Sequence, residues 1–184
     1  MKIIIAVTGA SGAIYAQQLF DKLHSLRNQI DEVCVVFSDT AKKVWQHDLQ
    51  SQPNIYDFKE FQDDDFFSPI ASGSSKYDTM IVCPCSVGTM GRIAHGTAEN
   101  LICRAADVML KERRQLILAV RETPYSLVHI KNMELITLAG GIICPASPSF
   151  YSNPQTINEV CATVIDRIID LTGLKNNCFR WKTN

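Results

Sequence analysis

Six small residues, Thr8-Gly9-Ala10-Ser11-Gly12-Ala13, separate the hydrophobic run Ile3 to Val7 from an amphipathic segment beginning near Ile14. Glycine allows close backbone approach, Ser11 offers a hydroxyl, and a following helix N-terminus presents unpaired N–H groups at its positive end. A phosphate suits that combination, and a tight strand-to-helix turn wants the same residues. Ser86 and Thr89 open a helix after a strand, where they offer hydroxyls and amides to a polar or anionic group or act as an ordinary N-cap. Arg121-Glu122 directly follows the apolar run Leu116 to Val120, so both residues stand on a rigid rim. An arginine held there can make bidentate contacts, and a partly buried glutamate can titrate in a range suited to proton transfer. A structural ion pair is the competing reading. Arg104 and Lys111 share one helix face, free to bind phosphate or to be solvated. The acidic run Asp63-Asp64-Asp65 reads as solvated surface rather than a metal site.

The seven cysteines are odd in number and mostly lie in apolar segments, without the C-x-x-C spacing of zinc or redox sites. Cys83-Pro84-Cys85 could be a reactive pair, but buried thiols in a reducing compartment are the simpler reading. With 184 residues, 46% hydrophobic and 20% charged, the chain fits one domain over residues 1–184. A net charge of -1 argues against a broad nucleic-acid footprint. No apolar run reaches the roughly 18 to 20 residues that span a bilayer, and the expectation is a cytoplasmic protein.

The elements that must position these residues alternate. Strands are expected at Lys2 to Val7, Val33 to Phe37, Thr79 to Cys83, Leu116 to Val120 and Gly141 to Cys144. Helices are expected from near Ile14, over Thr40 to Leu49, from Val87, over Asn100 to Lys111, and from Tyr125 to Leu138. Gln50 to Asp78 is the least regular segment. The last helix takes Asn153 as N-cap, Pro154 at its first position and Gly173 as its stop. Five strands separated by helices imply an α/β fold with a doubly wound parallel sheet, in which ligands gather beyond the carboxyl ends of the strands. Nearly all the residues with chemistry sit at those exits. The first turn is G-x-x-G and lacks G-x-G-x-x-G, which favours a mononucleotide over NAD even though Asp39 stands where a ribose-binding acid could.

Ordered motifs then carry a resemblance over Lys2 to Trp181. They are Gly9-Ala10-Ser11-Gly12-Ala13, Ala71-Ser72-Gly73-Ser74, Pro84-Cys85-Ser86, Arg104-Ala105-Ala106-Asp107-Val108, Leu110-Lys111-Glu112-Arg113, Arg121-Glu122-Thr123-Pro124, His129 with Asn132-Met133, and Phe150-Tyr151 with Pro154-Gln155. Together they resemble the UbiX flavin prenyltransferases. The resemblance implies a flavodoxin-like, Rossmann-like subunit of a homododecamer that binds reduced FMN and dimethylallyl phosphate without a metal. The implied product is prenylated FMN, joined at flavin N5 and closed into a fourth ring at C6, for use by a UbiD-type decarboxylase.

By the same resemblance Gly9, Ala10, Ser11, Ser38, Ser86, Val87, Gly88, Thr89 and Arg121 hold FMN. Lys111, Tyr151 and Arg167 grip the prenyl phosphate, with Arg104 and Trp181 nearby. Ser11 sits by the reacting flavin edge and Glu122 assists proton transfer. The family's usual glutamate after strand two is absent from Val44-Trp45-Gln46-His47-Asp48, so Asp48 is expected in its place with one methylene less, and His47 is a second candidate proton carrier. Departure of an allylic phosphate requires cations on the phosphate and a dry pocket. Two rivals are an FMN-dependent cysteine decarboxylase and a non-catalytic FMN-binding subunit of an aromatic acid decarboxylase. The first is disfavoured by Pro84-Cys85-Ser86-Val87-Gly88-Thr89 and Thr123-Pro124-Tyr125-Ser126, which stand where it carries P-A-S-A-N-T and P-x-M-N-x-x-M.

Overall fold

The computed structural model describes residues 1–182. The strands are β1 (Lys2–Val7), β2 (Glu32–Phe37), β3 (Lys59–Gln62), β4 (Thr79–Cys85), β5 (Gln115–Val120) and β6 (Ile142–Ile143). The helices are α1 (Ala13–Ser25), α2 (Asp39–Leu49), α3 (Val87–Ala94), α4 (Leu101–Lys111), α5 (Leu127–Leu138) and α6 (Ile157–Thr172). All six strands pair in parallel in the order β3-β2-β1-β4-β5-β6. The order reverses between β1 and β4, so the crevice for a ligand opens at the carboxyl ends of those two strands.

The central strands are buried on both faces, which is why they read as unbroken aliphatic runs. One face carries α1 and α6 and the other carries α3 and α4. Ala16, Leu19, Phe20 and Leu23 of α1 are all fully buried, as their three- and four-residue spacing requires. Phe20 stacks on Trp45 at 6.0 Å and meets Phe37 edge-on at 6.1 Å. Truncating so buried an aromatic costs about 3–5 kcal/mol.

Two expectations need correction. A sixth strand, β3, lies in the segment read as irregular; only Phe61 among its four residues is buried, so it shows almost no apolar pattern. The last helix starts later than expected. Asn153 lies in a turn at φ 53, and Thr156 is the cap, in a capping box with Glu159. Its expected stop holds: Gly173 is left-handed at φ 82.

Candidate active site

β1 and β4 are tied together at the reversal point by Thr8, which is 1% exposed. Its Oγ1 donates to the Pro84 carbonyl at 2.8 Å and accepts from the Ser86 amide at 2.8 Å. The two loops that leave these strands are therefore held as one unit. On the first of them Gly12 adopts φ 118 and serves as the N-cap of α1 without a capping side chain. The cap comes from α2 instead. Asp48 Oδ2 accepts from the Gly12 amide at 2.7 Å, the Ala13 amide at 3.4 Å and Ser11 Oγ at 3.1 Å.

That carboxylate occupies the anion position at the head of α1. The head of α1 is therefore already filled by a side chain, unlike the open phosphate cradle that the loop's composition suggests. Burial pushes the Asp48 carboxyl up, but the hydrogen bonds from Gly12, Ala13, Ser11 and His47 outweigh it, and Asp48 titrates below its ordinary range. It is an anion at neutral pH. Arg121 Nε donates to the Ser11 carbonyl at 2.9 Å, so β5 holds the same loop from its other side. Glu122 does not pair with Arg121; its carboxylate accepts from the Thr123 amide at 3.0 Å.

Two cavities flank this network. The first, about 270 Å³, opens where β1, β2 and β4 end and is lined by Gly9, Ser38, Thr40, Ser86 and Thr89 among others. Ser38 Oγ caps α2 by accepting from the Ala41 amide at 3.1 Å, and Ser86 Oγ caps α3 by accepting from the Thr89 amide at 3.2 Å. Each cap leaves two first-turn amides, Asp39 with Thr40 and Val87 with Gly88, without an acceptor among the described residues. The second cavity, about 490 Å³, lies between the loop after β6, α6 and the C-terminal segment, and includes Ser147, Tyr151, Arg167 and Trp181. Tyr151 and Trp181 rings stand 4.6 Å apart across it.

A family model described as Flavoprotein matches residues 1–170. Flavin prenyltransferase UbiX of Methanocaldococcus jannaschii is 41% identical over 192 residues, covering 100% of each chain. This chain belongs to the UbiX flavin prenyltransferase family. The solved dodecameric FMN-dependent UbiX-like decarboxylase from Escherichia coli O157:H7 superposes at TM-score 0.93 with 36% identity, covering 100% of each chain. The UbiX protein PadA1, solved with FMN and dimethylallyl pyrophosphate, superposes at TM-score 0.88 with 35% identity, covering 98% of each chain.

Of the residues expected from the UbiX resemblance, the structure gathers Gly9, Ala10, Ser11, Ser38, Ser86, Val87, Gly88, Thr89, Asp48, Arg121 and Glu122 at the strand exits. Tyr151, Arg167 and Trp181 share the second cavity. Arg104 and Lys111 stand apart. Both are on α4, whose last residue precedes the start of β5, so Lys111 lies at the opposite end of the sheet. Arg104 Nε donates to the Ala71 carbonyl at 3.1 Å, Arg114 Nη2 donates to the Gly73 carbonyl at 2.6 Å, and Lys111 pairs with Glu112 at 2.5 Å. A side chain at Gly73 would collide with Glu112, so the Ala71 to Ser75 loop and the basic end of α4 form one closely fitted patch.

Several residues behave differently from their local appearance. Asp63 is half-buried and caps α4, accepting from Asn100 Nδ2 at 2.9 Å and the Ile102 amide at 3.1 Å; burial raises its pKa. Cys83 and Cys85 are fully buried, and burial pushes both thiols far up, the state of core cysteines. His47 is 91% exposed at its side chain, the ordinary state of a lone helix histidine. Sequence reasoning missed Thr8 as a strut because a threonine at a strand end looks the same whether or not it bridges. It also missed Arg92, which lines the first cavity.

Proposed function

We propose that this chain, acting as one flavoprotein domain, transfers the dimethylallyl group of dimethylallyl phosphate to reduced FMN and so makes prenylated FMN. The observation that carries this reading is the order of the strand exits. β5 lies between β4 and β6 in the sheet, so Arg121 and Glu122 stand between the cavity at the β4 exit and the cavity at the β6 exit. A flavin phosphate fits the first cavity, where free helix amides and hydroxyls face an anion. The second cavity offers Tyr151 and Arg167 to the other phosphate.

Bound reduced FMN supplies the electron-rich N5 and C6 positions. The protein's part is placement, charge and proton handling. Arg121 and Asp48 fix the Ser11 loop from two sides, and the Ser11 hydroxyl donates to an acceptor that stays ionised, so its oxygen lone pairs remain available. Arg167 and Tyr151 neutralise the departing phosphate as negative charge develops on it. Glu122, on the rim between the cavities, moves the proton that ring closure releases.

Lys111 cannot serve the second cavity of its own subunit from the opposite end of the sheet, and Arg104, one turn into α4, is held by the Ala71 carbonyl and Asp107. They serve a neighbour's, in a homo-oligomer that we take to be a dodecamer like the E. coli relative. Exposed apolar side chains support such assembly. Leu127, Val128, Ile130, Leu135 and Leu138 of α5 are all more than 40% exposed, and Phe67 is fully exposed. No described helix is long and apolar enough to cross a membrane. A cytoplasmic enzyme handing its product to a UbiD-type decarboxylase completes the reading, and its seven free cysteines agree with a reducing compartment.

The test is to incubate the protein with chemically reduced FMN and dimethylallyl phosphate and to weigh the flavin by mass spectrometry. A flavin heavier by the prenyl group is expected. Unmodified FMN from both the wild type and Asp48→Glu would overturn the transferase reading.

A further inference from the structure

We infer that Arg92 is the counter-charge of the flavin phosphate in this chain, and that together with Thr89 it makes the first cavity select a phosphorylated flavin. The inference rests on the functional reading above. Two carboxylates, Asp39 and Asp63, line this cavity, and among the described residues Arg92 is the one basic residue in its lining. A phosphate monoester brings about -1.5 to -2 more charge at neutral pH. The N-termini of α2, α3 and α4 each contribute the equivalent of about half a positive charge, and that effect fades within one turn. The head of α4 is already engaged by Asp63, and the three helix ends together fall short of the two carboxylates. Without Arg92 the phosphate would enter a wall of its own sign.

The polar groups around Arg92 are unfinished in the direction a phosphate requires. Thr89 is 4% exposed; its Oγ1 accepts from Ser86 Oγ at 3.1 Å and from Arg92 Nη2 at 3.4 Å. Its own hydroxyl hydrogen finds no acceptor among the described residues. Arg92 Nε lies 3.2 Å from Glu99 Oε1, yet this buried N–H is not aligned for a hydrogen bond. Glu99 is 60% exposed at its side chain, and such an ion pair holds an arginine weakly. A phosphate oxygen reached by the Thr89 hydroxyl and the Arg92 guanidinium would complete both, with charge-assisted bonds to the anion. Riboflavin, which lacks the phosphate, would gain nothing from Arg92.

The test is a fluorescence titration of oxidised FMN and of riboflavin into the flavin-free protein, for the wild type, Arg92→Ala, Arg92→Lys and Glu99→Gln. Arg92→Ala should lose about 10–100-fold in FMN affinity, the size of a charged hydrogen-bonded contact, while riboflavin affinity stays put. Arg92→Lys should recover part of the loss. Glu99→Gln should bind FMN as tightly as the wild type or more so, because it frees the guanidinium, and it keeps the test decisive where Arg92→Ala folds poorly. An FMN-to-riboflavin ratio unchanged in Arg92→Ala, or a Glu99→Gln variant that loses FMN selectivity as Arg92→Ala does, would overturn the inference and leave prenyl transfer standing. A wild type that binds neither flavin would overturn both.

Discussion

Replacing Asp48 should weaken the fold and the Ser11 loop together, with a pH signature that ordinary packing defects lack. Asp48 is the only cap at the head of α1 among the described residues, and it arrives from a helix separated in sequence by β2. Losing an N-cap acceptor costs about 1 kcal/mol, and a negative charge at a helix N-terminus adds about 0.3–1 kcal/mol. Asp48→Ala should therefore cost about 1–2 kcal/mol in denaturant unfolding at neutral pH. Asp48→Asn, which keeps an acceptor oxygen and loses the charge, should cost about half of that. The sign with pH follows from the depressed folded-state pKa. The charge contribution is fully present above the ordinary aspartate value of about 3.9 and disappears as pH falls through the lower folded value. The gap between wild type and Asp48→Asn should be constant from pH 7 down to about 5 and should close below about 4. Unfolding must be compared at equal protomer concentration, since assembly adds stability by mass action. A gap below a few tenths of a kcal/mol at pH 7, or one that widens on acidification, would show that Asp48 does not hold α1.

Thr8→Val keeps the shape of the strut but leaves the half-buried Ser86 amide without its acceptor; it should cost about 1–3 kcal/mol, read as a fall in the melting temperature of about 2–4 °C per kcal/mol. Glu122→Gln should retain FMN in a binding titration and slow the appearance of prenylated flavin, and unchanged turnover would make Glu122 structural. Lys111→Ala and Arg167→Ala should each lose turnover with dimethylallyl phosphate while still binding FMN. Mixed oligomers of the two, made by co-expression, should regain part of it, because some second cavities then receive both native residues. No recovery in the mixture would mean that both residues act within one subunit.

Much of the fold was legible because the central strands are buried on both faces and so leave an aliphatic signature that needs no context. β3 was invisible for the opposite reason. A four-residue edge strand with one buried side chain carries no periodicity, and Lys59, Glu60 and Gln62 suit the solvent just as well in a loop. The start of α6 was legible in principle. Thr156 and Glu159 form a capping box, a stronger start signal than Pro154, and it sets the helix start three residues after the Asn153-Pro154 pair.

The Thr8 to Ala13 loop shows where local reading stops. A small-residue turn before a helix offers orphan amides to any anion, and nothing within the turn says which anion arrives. In this chain it is Asp48, and the hydroxyl of Ser11 is drawn into the same contact. The consequence is a division of labour. A helix head already satisfied by a side chain is a poor phosphate anchor, so on the proposed reading the phosphate falls to helices whose caps leave amides free. α2 and α3 qualify, with Ser38 and Ser86 each satisfying one first-turn amide and leaving two. On the proposed reading the Ser11 end of the loop then serves the reacting edge of the flavin, fixed by Arg121 on one side and Asp48 on the other.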